Sequence, residues 1–255
     1  MPSFDTYQHL ITELDFSQAS CCQSRQLLIG ESGTLSAYYA PFDYINRDAK
    51  VVICGITPGM QQAQIALNEA QQAMASGADS RTVLRQAKET ASFAGAMRKN
   101  LVRMLDTIGF HHYLKAESCT VLFNELKAQV HYTSALRYPV FKDGKNYSGS
   151  PSMVSNPFLR NMLDTTLTEE CLALEQNTIF VPLGGKVEEA LRYLASKEVI
   201  REEQILAGLP HPSGANAERI AYFCGDKPRE TLSNKTNPDE LDTRKARLIQ
   251  WAKAL

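Results

Sequence analysis

The sequence predicts an α/β protein: one domain over residues 1–255, a three-layer α/β/α arrangement around a central, mainly parallel four-stranded sheet. Three observations predict it. Four short apolar runs are separated by helix-periodic stretches, the pattern of strands covered on both faces. Three of the four runs end in Gly, Pro, His or Ser, as strand ends that face a ligand do. The chain has 255 residues, 44% hydrophobic and 22% charged, enough to bury a sizeable core, and no linker-like stretch divides it.

The first strand is predicted over 49–55 (AKVVICG), ending in Gly and followed by the turn Ile56-Thr57-Pro58-Gly59. Residues 61–77 are rich in Gln and Ala, which are good helix formers, and predict an exposed helix. Asp79 and Ser80 supply caps for a second helix reaching about Glu89. Met97, Leu101, Leu105 and Ile108 then fall on one apolar helical face. A second strand is predicted over 130–137 (VHYTSALR), stopped by Pro139. A third, over 177–183 (NTIFVPL), runs into Gly184-Gly185 and a helix that lines up Val187, Ala190, Leu191 and Leu194. The fourth, over 204–209 (QILAGL), runs into Pro210-His211-Pro212. Segment 224–237 is polar and reads as a surface loop. Asn237, Pro238 and Glu240 then form a helix start: an Asn cap, Pro at the first position, Glu at the third.

Formal charge is -1, which argues against a protein that coats nucleic acid non-specifically but leaves a local basic face open. No apolar run approaches the roughly 18–20 residues that cross a bilayer. The N-terminus lacks the basic-then-apolar order of a secretory signal. Six cysteines include no CxxC pair, which predicts reduced, mostly buried thiols and no zinc or iron–sulfur site. The expectation is a cytoplasmic monomer that needs no metal or cofactor.

Chemistry concentrates at two strand ends, GITPG (Gly55, Ile56, Thr57, Pro58, Gly59) and HPSGAN (His211, Pro212, Ser213, Gly214, Ala215, Asn216). Alone, the first reads as a tight turn and the second as a structural His between prolines. In order, after the first and last strands, they resemble the uracil-DNA glycosylase superfamily, whose motifs are of the Gly-x-Asn-Pro-Gly and His-Pro-Ser types. The resemblance runs from about residue 50 to 220, roughly two thirds of the chain.

This resemblance implies a monofunctional glycosylase that flips a damaged or modified pyrimidine out of double- or single-stranded DNA and hydrolyses its N-glycosidic bond. It implies that His211 donates to the departing base while the Gly55–Gly59 turn surrounds that base. Phe93, in SFAGAMRKNL, would stack on it and Ser134 would read its edge. Ser213, Gly214, Ala215 and Asn216 would hold a DNA phosphate or enter the minor groove. Lys186, after Gly184-Gly185, resembles a phosphate-binding lysine. Arg137 opens a stretch in which basic and aromatic residues interleave, Arg137 to Tyr147. That stretch reads either as a nucleic-acid contact or as a solvated hairpin turning at Asp143-Gly144. Arg98, Lys99 and Arg103 either meet phosphate or are ordinary helix charges.

Two departures from the family pattern bear on the substrate. Thr57 stands where an acid or amide would activate water, and Ser134 stands near where an Asn would read uracil. Between GITPG and Phe93 lie 33 residues, 60–92, a helical insertion that serves as a lid, a second DNA contact or a rim decoration. The alternatives carried forward are a modified base of phage DNA as substrate, and a non-catalytic module of the same fold that recognises modified or abasic DNA. An unrelated hydrolase using His211 lacks a G-x-S-x-G nucleophile turn.

Overall fold

A computed structural model describes residues 2–17, 21–92 and 95–255, with backbone alone at 95 and 96. In chain order the elements are α1 (Phe4–Thr12), β1 (Leu28–Ser32), β2 (Leu35–Tyr38), β3 (Val51–Gly55), α2 (Met60–Ala75), α3 (Ser80–Ala91), α4 (Gly95–Thr107) and α5 (Phe110–Tyr113). Then come β4 (Val130–Ser134), β5 (Val140–Lys142), β6 (Lys145–Asn146), α6 (Pro157–Met162), α7 (Thr168–Leu172), β7 (Ile179–Pro182), α8 (Gly185–Ser196), α9 (Ala217–Cys224) and α10 (Pro238–Lys253). They fall into two compact units. One comprises Met1–Arg47, Gly55–Ser92 and Tyr132–Ala173, the other Asp48–Cys54, Phe93–His131 and Leu174–Leu255.

The first unit carries an antiparallel sheet of order β1-β2-β5-β6, which the sequence does not announce. β2 pairs with β5 through Leu35↔Lys142, Ser36↔Phe141 and Ala37↔Val140. β5 and β6 form the hairpin that turns at Asp143-Gly144, both at positive φ (49° and 72°), as the tight hairpin turn requires. The interleaved aromatics are core: Tyr138, Phe141 and Tyr147 are all buried.

The 60–92 insertion is two helices, α2 and α3. The expectation that α2 is exposed fails for its alanine face, because Ala63, Ala66, Leu67, Ala70 and Ala73 are buried. Alanine's small side chain lets the helices approach closely. Asp79 caps α3 as expected, its side chain accepting from the Thr82 amide at 3.0 Å. On α3, Lys88 is buried, donates to the Tyr44 carbonyl at 2.7 Å and faces the Glu170 carboxylate at 3.7 Å.

The second unit is built on β3 and β7, a parallel pair in register Val51↔Ile179 through Cys54↔Pro182, every residue of both strands buried. The sheet has the order β4-β3-β7, three strands rather than the four expected. The missing strand is 204–209. Ile205 makes a single parallel bridge to Phe180, and the Leu206 amide donates to the Phe180 carbonyl at 2.8 Å. The Ala207 amide then turns back onto Ile205 O at 2.8 Å, and Gly208 takes φ +118°. Local bonding thus consumes donors that a fourth strand would have offered its neighbour. The buried Gln204 side chain, donating to Thr178 O and accepting from the Arg201 amide, holds the chain in a turn just before.

α8 buries Val187, Ala190, Leu191 and Leu194 as its periodicity predicts. α10 begins under an Asn237 cap, with Pro238 at its first position. No helix among the described residues is long and apolar enough to cross a membrane. Cys21, Cys22, Cys54, Cys119 and Cys171 are buried free thiols, and Cys224 is half-buried.

Candidate functional site

In the second unit β7 delivers the chain to Gly184, and the turn after Gly208 delivers it to His211. Gly184 has φ +91°, and a Cβ there would lie 3.0 Å from the His211 Cβ. Any larger residue is strained at that position, and the glycine lets the two segments touch. Pro210 and Pro212 restrict the backbone on either side of His211. The Asn100 side-chain amide, from α4, donates to the Pro212 carbonyl at 2.8 Å.

The imidazole of His211 is half-buried. Its Nδ1 accepts a hydrogen bond from the Ser213 amide at 3.2 Å. Burial also pushes its pKa below the ordinary histidine value. A neutral ring whose Nδ1 is an acceptor carries its proton on Nε2. The loop therefore prepares one donor, Nε2–H, and fixes its orientation.

The Ser213 hydroxyl lies 3.4 Å from Asn216 Nδ2, and Gly214–Asn216 form one 3₁₀ turn. Gly214 and Ala215 are exposed. Lys186 is exposed at the start of α8 and pairs with Glu189 at 3.5 Å. A cleft of about 330 Å³ beside His211 is lined by Gly184, Gly185, Asn216, Arg219, Lys235 and Arg244, among others. A larger cavity of about 640 Å³, lined by His111, His112 and Tyr113 among others, contains no candidate site residue of the sequence. Volume alone does not define a site, and the cleft is the one that holds the oriented donor.

The first unit places the other motif. The Ala135 amide donates to Gly55 O at 2.8 Å and the Leu136 amide to Ile56 O at 2.9 Å, which ties GITPG to the end of β4. The Thr57 hydroxyl donates to Tyr138 O and accepts from the Val140 amide, each at 3.0 Å. It is a staple between this turn and β5. One lone pair remains, enough to accept a hydrogen bond from water but far too weakly basic to take its proton.

Pro58 lets the chain turn into α2. The Gly59 amide donates to Gln62 Oε1 at 3.1 Å and the Met60 amide to Asn146 Oδ1 at 2.9 Å. Gln62 thus occupies the Gly59 donor, which is not free for an anion in this turn. Gln62 also donates to Ala91 O at 3.1 Å, joining the start of α2 to the end of α3.

Ser134 ends β4 half-buried. Its neighbour Thr133, 7% exposed, has a buried hydroxyl with no hydrogen-bond partner among the described residues. Arg137 requires a second correction. It is 5% exposed, with Nε on Glu170 at 2.5 Å, Nη1 on Glu169 at 2.9 Å and Nη2 on Thr166 O at 3.0 Å. It is buried, and each of its three nitrogens donates inside the unit, two of them to carboxylates, so it is a structural residue and not a phosphate contact. Phe93 lies outside the described residues. On α4, Arg98 stacks over the Phe123 ring at 4.9 Å and Arg103 pairs with Asp226.

Sequence reasoning missed Arg219, Lys235 and Arg244, which share the cleft with His211. Segment 224–237 is the surface loop expected, and Glu218 clamps it, accepting from Lys227 Nζ (2.7 Å), the Ser233 amide (3.1 Å), Ser233 Oγ (2.6 Å) and Thr236 Oγ1 (2.6 Å). Those bonds hold its carboxyl well below the usual carboxylate range. The available signal was the acid–base pair Glu218-Arg219 opening α9 ahead of a loop that carries Lys227, Ser233, Lys235 and Thr236.

Strand β7 of the parallel sheet runs into a glycine turn that touches an oriented histidine, at the carboxyl end of the strand where α/β folds hold their ligands. The family model of the uracil DNA glycosylase superfamily matches residues 42–232. The chain belongs to that superfamily. It is 35% identical over 199 residues to the uncharacterized protein YoxB of Bacillus subtilis (strain 168), covering 77% of this chain and 78% of that one. No solved structure matches it.

Proposed function

We propose that the protein is a monofunctional DNA glycosylase that flips a damaged or modified pyrimidine out of DNA and hydrolyses its N-glycosidic bond. It works without a cofactor, as a cytoplasmic monomer. The observation that carries the reading is the Ser213–His211 hydrogen bond, which leaves Nε2–H of a neutral imidazole as a fixed donor in a cleft.

As the bond between C1′ and the base nitrogen breaks, its electron pair passes to the base. Negative charge spreads onto an exocyclic carbonyl oxygen of the base, and Nε2–H of His211 donates to it. A donor placed where charge develops is worth several powers of ten in rate. Water then adds to C1′ and releases a proton to solvent. Neither Thr57 nor any lysine placed by motif supplies a strong base or a Schiff-base nucleophile, so the step is dissociative and no strand cleavage accompanies it. Phe93 is assigned the face that stacks on the base, Ser134 its edge, and Ser213–Asn216 with Lys186 the DNA backbone.

Neither residue type that defines uracil chemistry is present at Thr57 and Ser134, which favours a base other than uracil. Modified pyrimidines of phage DNA, and hence a defence role, are the first class to test. The experiment is mass analysis of bases released by the purified protein from a panel of modified DNAs, phage genomes included. One released base identifies the substrate. No release from any of them overturns the enzymatic reading.

A second reading has one specific observation in its favour. The Thr57 hydroxyl is bonded to two backbone groups, leaving the first motif without a group that activates water. A module that binds modified or abasic DNA without cutting it would need none. Binding with no release in the same panel would establish that reading.

A further inference from the structure

We infer that the cleft beside His211 holds a phosphate of a polynucleotide strand, gripped by Arg219, Lys235 and Arg244, with Glu218 as the positioning residue that sets the loop carrying Lys235. The inference rests on reading the His211 cleft as a DNA site, and it adds three ligating side chains and a positioning device to it.

The charges come first. Three cations and one carboxylate, Glu240, line the cleft. Arg244 pairs with Glu240 at 2.7 Å, but both side chains are substantially exposed (37% and 53%), where such a pair is weak and exchangeable. Arg219 is different. Its Nη1 donates to Asn216 Oδ1 at 2.7 Å and its Nη2 to the Lys235 carbonyl at 3.0 Å. Both acceptors are neutral. The guanidinium is thus ordered without being neutralised, and an anion that reaches it meets a fork already in place.

The shape agrees with an anion that carries its own backbone. Gly184 and Gly185, which line the cleft, bring β7 into the N-terminus of α8, a helix of 12 residues. A Cβ on Gly185 would meet nothing within 4 Å, so this wall is open to a bulky strand. Asn216 joins the cleft to the HPSGAN loop, because the same side chain that accepts from Arg219 approaches Ser213 Oγ. A phosphate held here lies against the loop that carries His211.

Glu218 makes the arrangement possible. Its four accepted hydrogen bonds fold residues 227–236 back onto α9, and that folding brings the Lys235 carbonyl to Arg219. Without the clamp Lys235 keeps its charge but loses its address.

The test is binding of a fluorescent oligonucleotide across a range of salt. Wild type is compared with Arg219→Ala/Arg244→Ala and with Glu218→Ala, and circular dichroism confirms that each variant is folded. Loss of one phosphate contact should flatten the slope of log K against log salt by roughly 0.7–0.9 and weaken binding about tenfold in the arginine variant. Glu218→Ala should also weaken binding, while limited proteolysis now cuts within 225–237. Glu218→Gln, which keeps an acceptor for the serine and threonine, should restore part of both. If the wild type binds the oligonucleotide and the arginine variant binds it with equal strength and slope, the phosphate inference fails while the DNA reading stands. If the wild type binds no oligonucleotide, both fail. If inorganic phosphate perturbs the Gly185 amide resonance but no strand binds, the cleft is a site for free phosphate and the inference as stated is wrong.

Discussion

The backbone amide of Ser213 donates to Nδ1 of His211 at 3.2 Å, and the next-but-one residue of the same loop thereby sets the tautomer of the ring. Protonation would place an N–H at Nδ1 opposite the Ser213 N–H, two donors facing each other. Burial and this contact therefore act in the same direction, both favouring the neutral ring.

A first prediction follows for pH. The folded-state pKa of His211 is depressed by burial, so the unfolded chain takes up the proton first, near pH 6.5. The contribution to stability is present above about pH 6.5 and is lost as pH falls toward the lower folded value. Base release should stay level from neutral pH to below about 6.5 and fall only on the acid side of it. The measurement is the pH profile of kcat/KM, with the His211 ring proton followed by NMR. An acid limb above about 6.5 would contradict the neutral-donor reading. His211→Ala should lower base release by roughly 10²–10³ with little change in DNA binding.

Gly184 offers a way to disturb His211 without touching it. With φ at +91° and only 3.0 Å between a built Cβ and His211 Cβ, Gly184→Ala should strain the turn and push the ring aside. The backbone penalty alone is on the order of 1–3 kcal/mol. We expect a folded protein with a lowered melting temperature, a displaced His211 ring resonance and base release reduced at least tenfold. Gly185→Ala, where a Cβ meets open space, is the matched control for the added methyl. Equal activity of the two variants would show that the close approach at Gly184 has no bearing on His211.

The parts of the molecule legible in the sequence are those whose signals are local. Asp79 capping α3, Asn237 with Pro238 opening α10, and Gly184 ending β7 each announce themselves within a few residues. The paired motifs at Gly55–Gly59 and His211–Asn216 are equally local, and order alone connects them. What could not be read depends on partners far along the chain. Arg137 and its neighbouring aromatics look like a nucleic-acid contact until Glu169 and Glu170, more than 30 residues on, are found holding the guanidinium. Residues 204–209 have the composition of a strand, but a buried Gln204 and the positive φ of Gly208 curl them after a single bridge. Gln62 looks like one of several helix-forming glutamines, yet it occupies the Gly59 amide and fastens Ala91.

The buried ionic cluster of the first unit makes a prediction about stability rather than function. Glu170, 1% exposed, faces both Arg137 and Lys88, which are themselves nearly buried. Removing one partner of such a group strands an uncompensated charge, at about 3–5 kcal/mol. Glu170→Ala should lower the denaturation midpoint accordingly. Because Arg137 points inward, Arg137→Ala should also destabilise but leave the salt dependence of DNA binding unchanged in molecules that remain folded. A flattened salt slope in that variant would return Arg137 to the DNA interface.

Thr57 separates the catalytic reading from the binding one. Its hydroxyl satisfies the Tyr138 carbonyl and the Val140 amide together. Thr57→Val keeps the shape and removes both bonds, leaving two backbone groups short of a partner at a cost of roughly 1–3 kcal/mol. If departure of the base is driven by His211, as proposed, Thr57→Val should lose stability and keep base release within a few-fold of wild type once the folded fraction is accounted for. If the remaining lone pair orients the attacking water, release should drop by ten-fold or more at unchanged DNA affinity. Thr57→Asn then refines the answer. An amide at this position can hold water, but it is larger than the hydroxyl and must break the staple to β5. Release of uracil by Thr57→Asn, alongside loss of the wild-type substrate, would show that this single residue tunes which base is accepted. Binding without release by wild type, Thr57→Val and Thr57→Asn alike, on every DNA tested, would instead make the protein a reader of modified DNA, with His211 and its loop serving recognition alone.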